Sequence, residues 1–220
     1  MVIPCSKRKR ESEQPSATSE ELQSGRFGYE DRLRSAAVEA RELYLGRQHR
    51  HMVREVDRLR GARRDLRVGL VIVSAGYGLL EEHDLAVPYE AALSGSRSTQ
   101  IARGLELGLP DAALRLAGRA EFVVVALSAA YLAACGLPSP NLPNGIYLAP
   151  PSFADCGQSG IVACGRPEAR LFGKAEREIR GYILGELLAS VAGRGLVALD
   201  EAQLGAWRPA PVQQRHLTLS

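Results

Sequence analysis

The chain has 220 residues, 45% hydrophobic and 24% charged, with a formal net charge of +3. A chain of this size buries a full core without disulfide or metal staples, which excludes whole-chain disorder and a small disulfide scaffold. No apolar run approaches the roughly 20 residues a membrane span needs, and the basic N-terminal segment has no secretory apolar region. The expectation is a cytoplasmic protein with no membrane partner, folded by its length as a single domain over 1–220.

Val2 to Pro4 is a short apolar run ending in Cys5-Ser6-Lys7 and reads as a first strand. Residues 11–26, rich in Glu, Ser, Gln, Pro and Gly, read as a surface loop. Residues 31–61 read as helix: Leu33, Ala36, Ala37, Ala40, Leu43 and Tyr44 recur at helical spacings, and Met52, Val53, Val56 and Leu59 share a face. The opposite face is rich in Arg. Residues 68–73 form a near-continuous apolar strand, the kind buried on both faces of a parallel sheet. It runs into the glycine-rich turn Ser74-Ala75-Gly76-Tyr77-Gly78-Leu79-Leu80. Residues 99–118 read as helix interrupted by Pro110. Residues 122–127 are another buried strand, followed by Ser128-Ala129-Ala130-Tyr131. A Pro- and Gly-rich loop over 136–145 leads to a short strand over 146–149, which stops at Pro150-Pro151-Ser152. A polar loop over 153–170 precedes an amphipathic helix over 171–192. The tail from about 206, with Trp207, either packs back on the body or moves freely.

This alternation predicts a three-layer α/β/α sandwich with a mainly parallel, four-stranded sheet. Ligands of such sheets sit outside the carboxyl ends of the strands. That rule selects four segments, 5–7, 74–78, 128–131 and 150–155. Ser6, Ser74, Gly76, Tyr77, Tyr89, Ser128 and Tyr131 are the candidates for holding a flat base, with Tyr77 able to stack on it. Asp84 and Glu90 are the leading carboxylates and Asp155 the third. A glycosidic hydrolase needs such a group to orient water or to stabilise an oxocarbenium-like transition state. Lys7, Arg8, Lys9, Arg47 and Arg50 belong to an Arg-rich N-terminal third suited to phosphate contacts.

Four cysteines, Cys5, Cys135, Cys156 and Cys164, form no Cys-x-x-Cys pair, and the four histidines form no His-Glu-x-x-His cluster. No metal is expected. The glycine-rich turn matches neither G-x-x-x-x-G-K-[ST] nor G-x-G-x-x-G, so no nucleotide cofactor is expected.

The order Cys5-Ser6-Lys7-Arg8-Lys9, then Ala40-Arg41-Glu42-Leu43-Tyr44, then Ser74-Ala75-Gly76-Tyr77-Gly78-Leu79-Leu80, then Pro88-Tyr89 resembles a bacterial family of domains of unknown function with the pattern C-S-x-x-K, A-x-x-L-Y, S-A-x-[YH]-G-L-L and P-Y. That family is similar in fold to the uracil-DNA glycosylase superfamily. The resemblance covers about residues 1–150; residues 155–220 match no named pattern. It implies a base pocket at the strand ends and excision of a flipped base by N-glycosidic hydrolysis, leaving an abasic site. The chain lacks a Gly-Gln-Asp-Pro-Tyr motif and a His-Pro-Ser-Pro loop, which argues against uracil. Similar domains sit among phage-defence systems, so the expected partner is phage DNA carrying a hypermodified base, glycosylated cytosine being one option. Two other classes stay open: a non-enzymatic nucleic-acid-binding module, and a hydrolase or transferase of free modified nucleosides. The sequence leaves the oligomeric state and the strand preference undetermined.

Overall fold

The computed structural model describes residues 1–10, 17–18, 22, 36–116, 118–153, 157 and 159–209. The strands in chain order are β1 (Val2–Pro4), β2 (Ala17–Thr18), β3 (Val38–Glu39), β4 (Val71–Ser74), β5 (Gly78–Glu81), β6 (Leu85–Ala86), β7 (Tyr89–Glu90), β8 (Val123–Val125), β9 (Gly145–Ala149) and β10 (Ile161–Ala163). The helices are α1 (Ala40–Leu43), α2 (Arg47–Ala62), α3 (Arg97–Glu106), α4 (Leu109–Arg115), α5 (Ala129–Ala134), α6 (Arg166–Leu171), α7 (Ile179–Arg194) and α8 (Val197–Gln203).

Runs of β-branched residues make the central strands. Val71-Ile72-Val73 and Val123-Val124-Val125 lie between helical layers, with Ile72, Val73 and all three of the second run buried. Six strands form one sheet in the order β10-β9-β8-β1-β4-β5. All neighbours run parallel except β4 and β5, whose hairpin pairs Val71 with Glu81 and Ser74 with Gly78. β1 pairs Val2 with Val71 on one side and with Val125 on the other. The chain thus steps from β1 to β4 in one direction and then returns to place β8 on the other flank of β1. The crevice between the ends of β1 and β8 is the point of reversal, where doubly wound sheets take ligands.

α2 packs on α7 over one face of the sheet, and α3 on α5 over the other. Glycines set both contacts by space. A Cβ on Gly181 or Gly185 of α7 would meet His51 at 3.0 Å or Glu55 at 3.3 Å. One on Gly104 of α3 would meet the Ala134 carbonyl oxygen at 1.9 Å. The tail packs back as far as Trp207, which is buried and donates its indole N–H to Ser190 Oγ at 3.2 Å.

The structure corrects the expected elements in four places. The sheet has six strands rather than four, because the glycine-rich turn closes a hairpin. Gly78, at φ +81°, turns the chain back as β5. β10 and α6 lie in the stretch read as polar loop. The long N-terminal helix is broken at Tyr44, which is extended at φ −96°, ψ 113° and bridges Lys9. There the Arg10 N–H donates to the Leu43 carbonyl and the Leu45 N–H to the Arg8 carbonyl, so the main chain is committed to a ladder rather than a helix. Similarly, α6 ends before Gly173, at φ +60°, and α7 begins only at Ile179.

Candidate functional site

Cys5 follows β1, Ser74 ends β4, and Tyr131 lies in the first turn of α5 after β8. Their side chains meet. Cys5 Sγ and Tyr131 Oη share a hydrogen bond of 2.9 Å, and Tyr89 Oη donates to Cys5 Sγ at 3.6 Å. Tyr89 Oη is also 2.7 Å from Ser74 Oγ and 3.2 Å from Tyr44 Oη. Ser74 Oγ accepts the backbone N–H groups of Gly76 and Tyr77 at 3.3 and 3.1 Å. Burial pushes the phenols of Tyr44, Tyr89 and Tyr131 well above their ordinary range, so they stay protonated and able to donate. Among the predicted base-binding residues, Ser74, Gly76, Tyr77, Tyr89 and Tyr131 therefore come together, joined by Cys5 and Tyr44.

That cluster is closed on itself. Tyr77 is 4% exposed, packs edge-on against Tyr89, and exchanges hydrogen bonds with Val87: its Oη donates to the carbonyl and accepts the N–H. The Tyr77 ring is wedged in the core and has no free face for a base. Gly76 is small because the Tyr89 ring lies where its Cβ would be, at 2.7 Å, which leaves no approach for a ligand. The phenols and the serine tie three strand ends together, and the open space lies beside them.

That space is a cavity of about 690 Å³ lined by Pro4, Cys5 and Ser6 from the end of β1, by Gly46–His49, His51 and Arg54 from the start of α2, and by Lys174, Arg177, Glu178 and Tyr182 around the start of α7. Its size suits a nucleotide-sized ligand. Ser6 Oγ accepts the Gly46 N–H at 2.9 Å and donates to the Arg8 carbonyl at 2.7 Å, which seats α2 on the end of β1. The ring of His49 bonds the Pro4 carbonyl through Nδ1 at 3.0 Å, and burial lowers its pKa, so it is the neutral imidazole that locks this corner. Gln48 Nε2 is buried without a hydrogen-bond partner among the described residues. Arg54, Lys174 and Arg177 all line the cavity, and none has a carboxylate partner within ion-pair distance among the described residues. Among the described residues Glu178 is the one carboxylate of the lining, 31% exposed and held by Arg47 at 3.1 Å.

A second cavity, of about 630 Å³, opens at the amino end of the sheet around Met1, Val2, Leu70, Glu82 and Val123. The two are nearly equal in volume. Position decides between them, because doubly wound sheets take ligands outside the carboxyl ends of their strands, at the reversal point.

Asp84 is at this amino end, which displaces it from the expected role. β5 carries the chain back down the sheet, so Glu81 stands opposite Val71, the first residue of β4. Asp84 there accepts the Glu81 N–H at 2.7 Å and closes a turn. Glu90 is exposed on β7, close enough to Lys9 to act on its charge. Asp155 lies outside the described residues. Ser6 lines the cavity and Ser128 sits half-buried at the head of α5. Lys7, Arg8, Arg47 and Arg50 are exposed at the same end of the sheet, and the half-buried Lys9 points inward, 4.1 Å above the Tyr89 ring. Gln48, His51, Lys174, Arg177, Glu178 and Tyr182 line the candidate cavity and were not singled out by the sequence, whereas Arg54 belongs to the Arg-rich stretch over 47–67 expected to contact phosphate. Nothing in residues 171–192 distinguished Lys174, Arg177, Glu178 and Tyr182 from an ordinary amphipathic helix.

Cys5, Cys135 and Cys164 are unpaired and buried, and burial pushes the last two up to about 12. Among the described residues no group of three His, Cys, Asp or Glu side chains is placed to hold a metal ion, and no helix is long and apolar enough to cross a membrane. Compared with known proteins, the chain matches no family model, no curated protein and no solved structure.

Proposed function

We propose that this protein is a DNA glycosylase, similar in class to the uracil-DNA glycosylases, that hydrolyses the N-glycosidic bond of a hypermodified base in phage DNA. One observation carries the reading: the cavity at the end of β1 gathers three cations that have no carboxylate partner among the described residues, with Glu178 the one carboxylate among the described residues of its lining. Like charges held together repel, and a polyanion relieves that repulsion. Arg54, Lys174 and Arg177 would take phosphates flanking the target nucleotide, with Lys7, Arg8, Arg47 and Arg50 at the rim. A base must leave the duplex stack to enter, and the cavity has room for one with a bulky substituent.

Breaking the N-glycosidic bond builds positive charge at C1′, and water then attacks that carbon. A carboxylate beside C1′ stabilises the charge and orients the water. Glu178 is assigned this role and Glu90 is the alternative. The test is single-turnover incubation with a panel of modified phage DNAs, read as abasic sites. Glu178→Gln should lose on the order of 10²–10⁴ in rate while still binding DNA. Absence of abasic sites on every DNA sinks the reading, and a wild-type rate in Glu178→Gln moves the role to Glu90. The Arg47–Glu178 ion pair favours a second reading, a module that recognises nucleic acid without cleaving it. Salt-sensitive DNA binding without abasic sites would select it.

A further inference from the structure

Gln48, His51 and Glu55 follow one another along one face of α2, at the three- and four-residue spacings that put side chains in a row. α7 meets that row with two glycines about one turn apart. A Cβ on Gly181 would stand 3.0 Å from His51 Cδ2 and 3.9 Å from its Nε2, and one on Gly185 would stand 3.3 Å from Glu55 Cγ. Glycine weakens a helix interior, so α7 gives up stability to admit these two side chains. Glu55 Oε1 stands within ion-pair reach of His51 Nδ1, at 3.5 Å, and takes Arg58 Nη1 at 2.7 Å. Glu55 is buried, while the His51 side chain is 35% exposed where it lines the cavity. A carboxylate only accepts, so it selects the neutral ring with its proton on Nδ1 and leaves the lone pair on Nε2. Among the described residues that Nε2 has no hydrogen-bond partner.

We propose that His51, held by Glu55, is the general base of this cavity. The proposal deepens the glycosylase reading and rests on it for the substrate. Glu178 lines the same cavity, but a carboxylate that took the proton of the attacking water would lose, in that step, the charge that steadies C1′. Two groups divide the work. The C1′–N bond breaks and its electrons leave with the base, while the water oxygen bonds to C1′ through a lone pair. The water's proton passes to His51 Nε2, solvent protonates the departing base, and the imidazolium returns its proton to solvent. No oxidant or reductant enters. Glu55 touches neither water nor sugar; it is a positioning residue that holds the Nδ1 proton and steadies the imidazolium. Gln48, about one turn earlier on the same face, carries the buried Nε2 without a partner among the described residues, a donor for the oxygen whose proton His51 takes. The other titratable and charged groups around the ring are Arg54 and Arg58 on α2, Lys174, Arg177, Glu178 and Tyr182 on the α7 side, and Cys5 across the cavity. An acid limb therefore belongs to His51 only where His51→Gln abolishes it and Glu178→Gln keeps it.

The first measurement needs no substrate. Ring-15N spectra of the wild-type protein, at a pH where the imidazole is neutral, should show the His51 proton on Nδ1, and Glu55→Gln should lose that preference. The second is single-turnover excision from modified phage DNA, followed against pH. The wild-type rate should fall as the imidazole protonates, because a ring that already holds both protons takes no other. His51→Gln should lose on the order of 10²–10⁴ in rate and flatten that limb, whereas Glu178→Gln, though slow, should keep it. Imidazole added to the buffer should restore part of the rate to His51→Gly and none to Glu178→Gln. A His51 proton on Nε2, a wild-type rate in His51→Gln, or an acid limb that survives in that variant overturns the proposal. The tautomer is read on the wild-type protein, so it decides even where a variant folds poorly. The Nδ1 tautomer without abasic sites on any DNA sinks the glycosylase reading and leaves the dyad standing. Abasic sites from a protein without that tautomer sink the His51 role alone.

Discussion

Gly46 is the residue on which the cavity's geometry turns, and its replacement is the sharpest test of that geometry. Its backbone, at φ −60°, ψ 135°, is open to any residue, so only space requires glycine. A Cβ there would stand 2.4 Å from Ser6 Cβ and 2.8 Å from Ser6 Oγ. Carbon atoms prefer about 3.5–4.0 Å, so the start of α2 must retreat from the end of β1 by more than an ångström. Rotating Ser6 relieves the contact with Oγ but not with Cβ, and it gives up both Ser6 hydrogen bonds. Overpacking of this kind costs about 1–3 kcal/mol, and each lost bond about 0.5–1.5 kcal/mol. Gly46→Ala should therefore destabilise the protein by about 3 kcal/mol in urea melts, and low-salt DNA affinity should fall with it. Ser6→Gly removes the obstructing Cβ. The double variant should recover the overpacking share, which a double-mutant cycle reads directly. Gly61 lies in the same helix with nothing within 4 Å of its Cβ position, so Gly61→Ala should stabilise by roughly 0.5–1 kcal/mol. A Gly46→Ala protein as stable as the wild type, or a Ser6→Gly change that brings no relief, refutes the argument.

Glu82 is buried and bonds Arg60 and Arg41, with its second oxygen 2.9 and 3.0 Å from their Nη1 atoms. Burial alone would raise its pKa, but the Arg60 hydrogen bonds, then the Arg60 and Arg41 charges, hold it below the ordinary value. Its stabilisation is therefore present above the unfolded carboxyl's pKa and lost as pH falls through the folded one. Glu82→Gln should cost about 3 kcal/mol at pH 7 and flatten the acid limb of stability measured by urea melts from pH 7 down to pH 3. Gly104→Ala drives a methyl into the Ala134 carbonyl and should cost about 3 kcal/mol by thermal melting, since backbone rather than a flexible side chain stands in the way. Replacing Arg54, Lys174 and Arg177 together by Gln should shrink the log-log salt slope of duplex binding by about 2.7, at roughly 0.9 per phosphate contact. An unchanged slope removes those three from the DNA interface.

The parts of the fold that were legible are those whose burial leaves a mark on composition. The runs at Val71–Ser74, Val123–Val125 and Gly145–Ala149 are apolar because helices cover both faces. β5 was hidden because Gly78-Leu79-Leu80 reads as part of a glycine-rich turn, and only its pairing with β4 makes it a strand. Missing that one reversal put Asp84 at the wrong end. The core position of Tyr77 was hidden for a related reason: an aromatic in a glycine-rich turn has the same sequence whether its ring faces a ligand or the core. Glu178 and Lys174 left no signal, because the cavity arises from the approach of α7 to α2, a tertiary event that neither helix encodes by itself.

The place of β1 has a consequence for the order in which the chain assembles. β1 precedes the other five strands of its sheet in the chain and is third from one edge, and its partners are Val71 on one flank and Val125 on the other. A growing chain must therefore hold Val2–Pro4 unpaired until β4 emerges, and half-paired until β8 does. Loop closure over such separations slows folding, and an unpaired strand invites association with other chains. The cavity inherits this delay. Its β1 wall comes first, its α2 wall comes with the first crossover, and its cations at Lys174 and Arg177 arrive only after all six strands of the sheet.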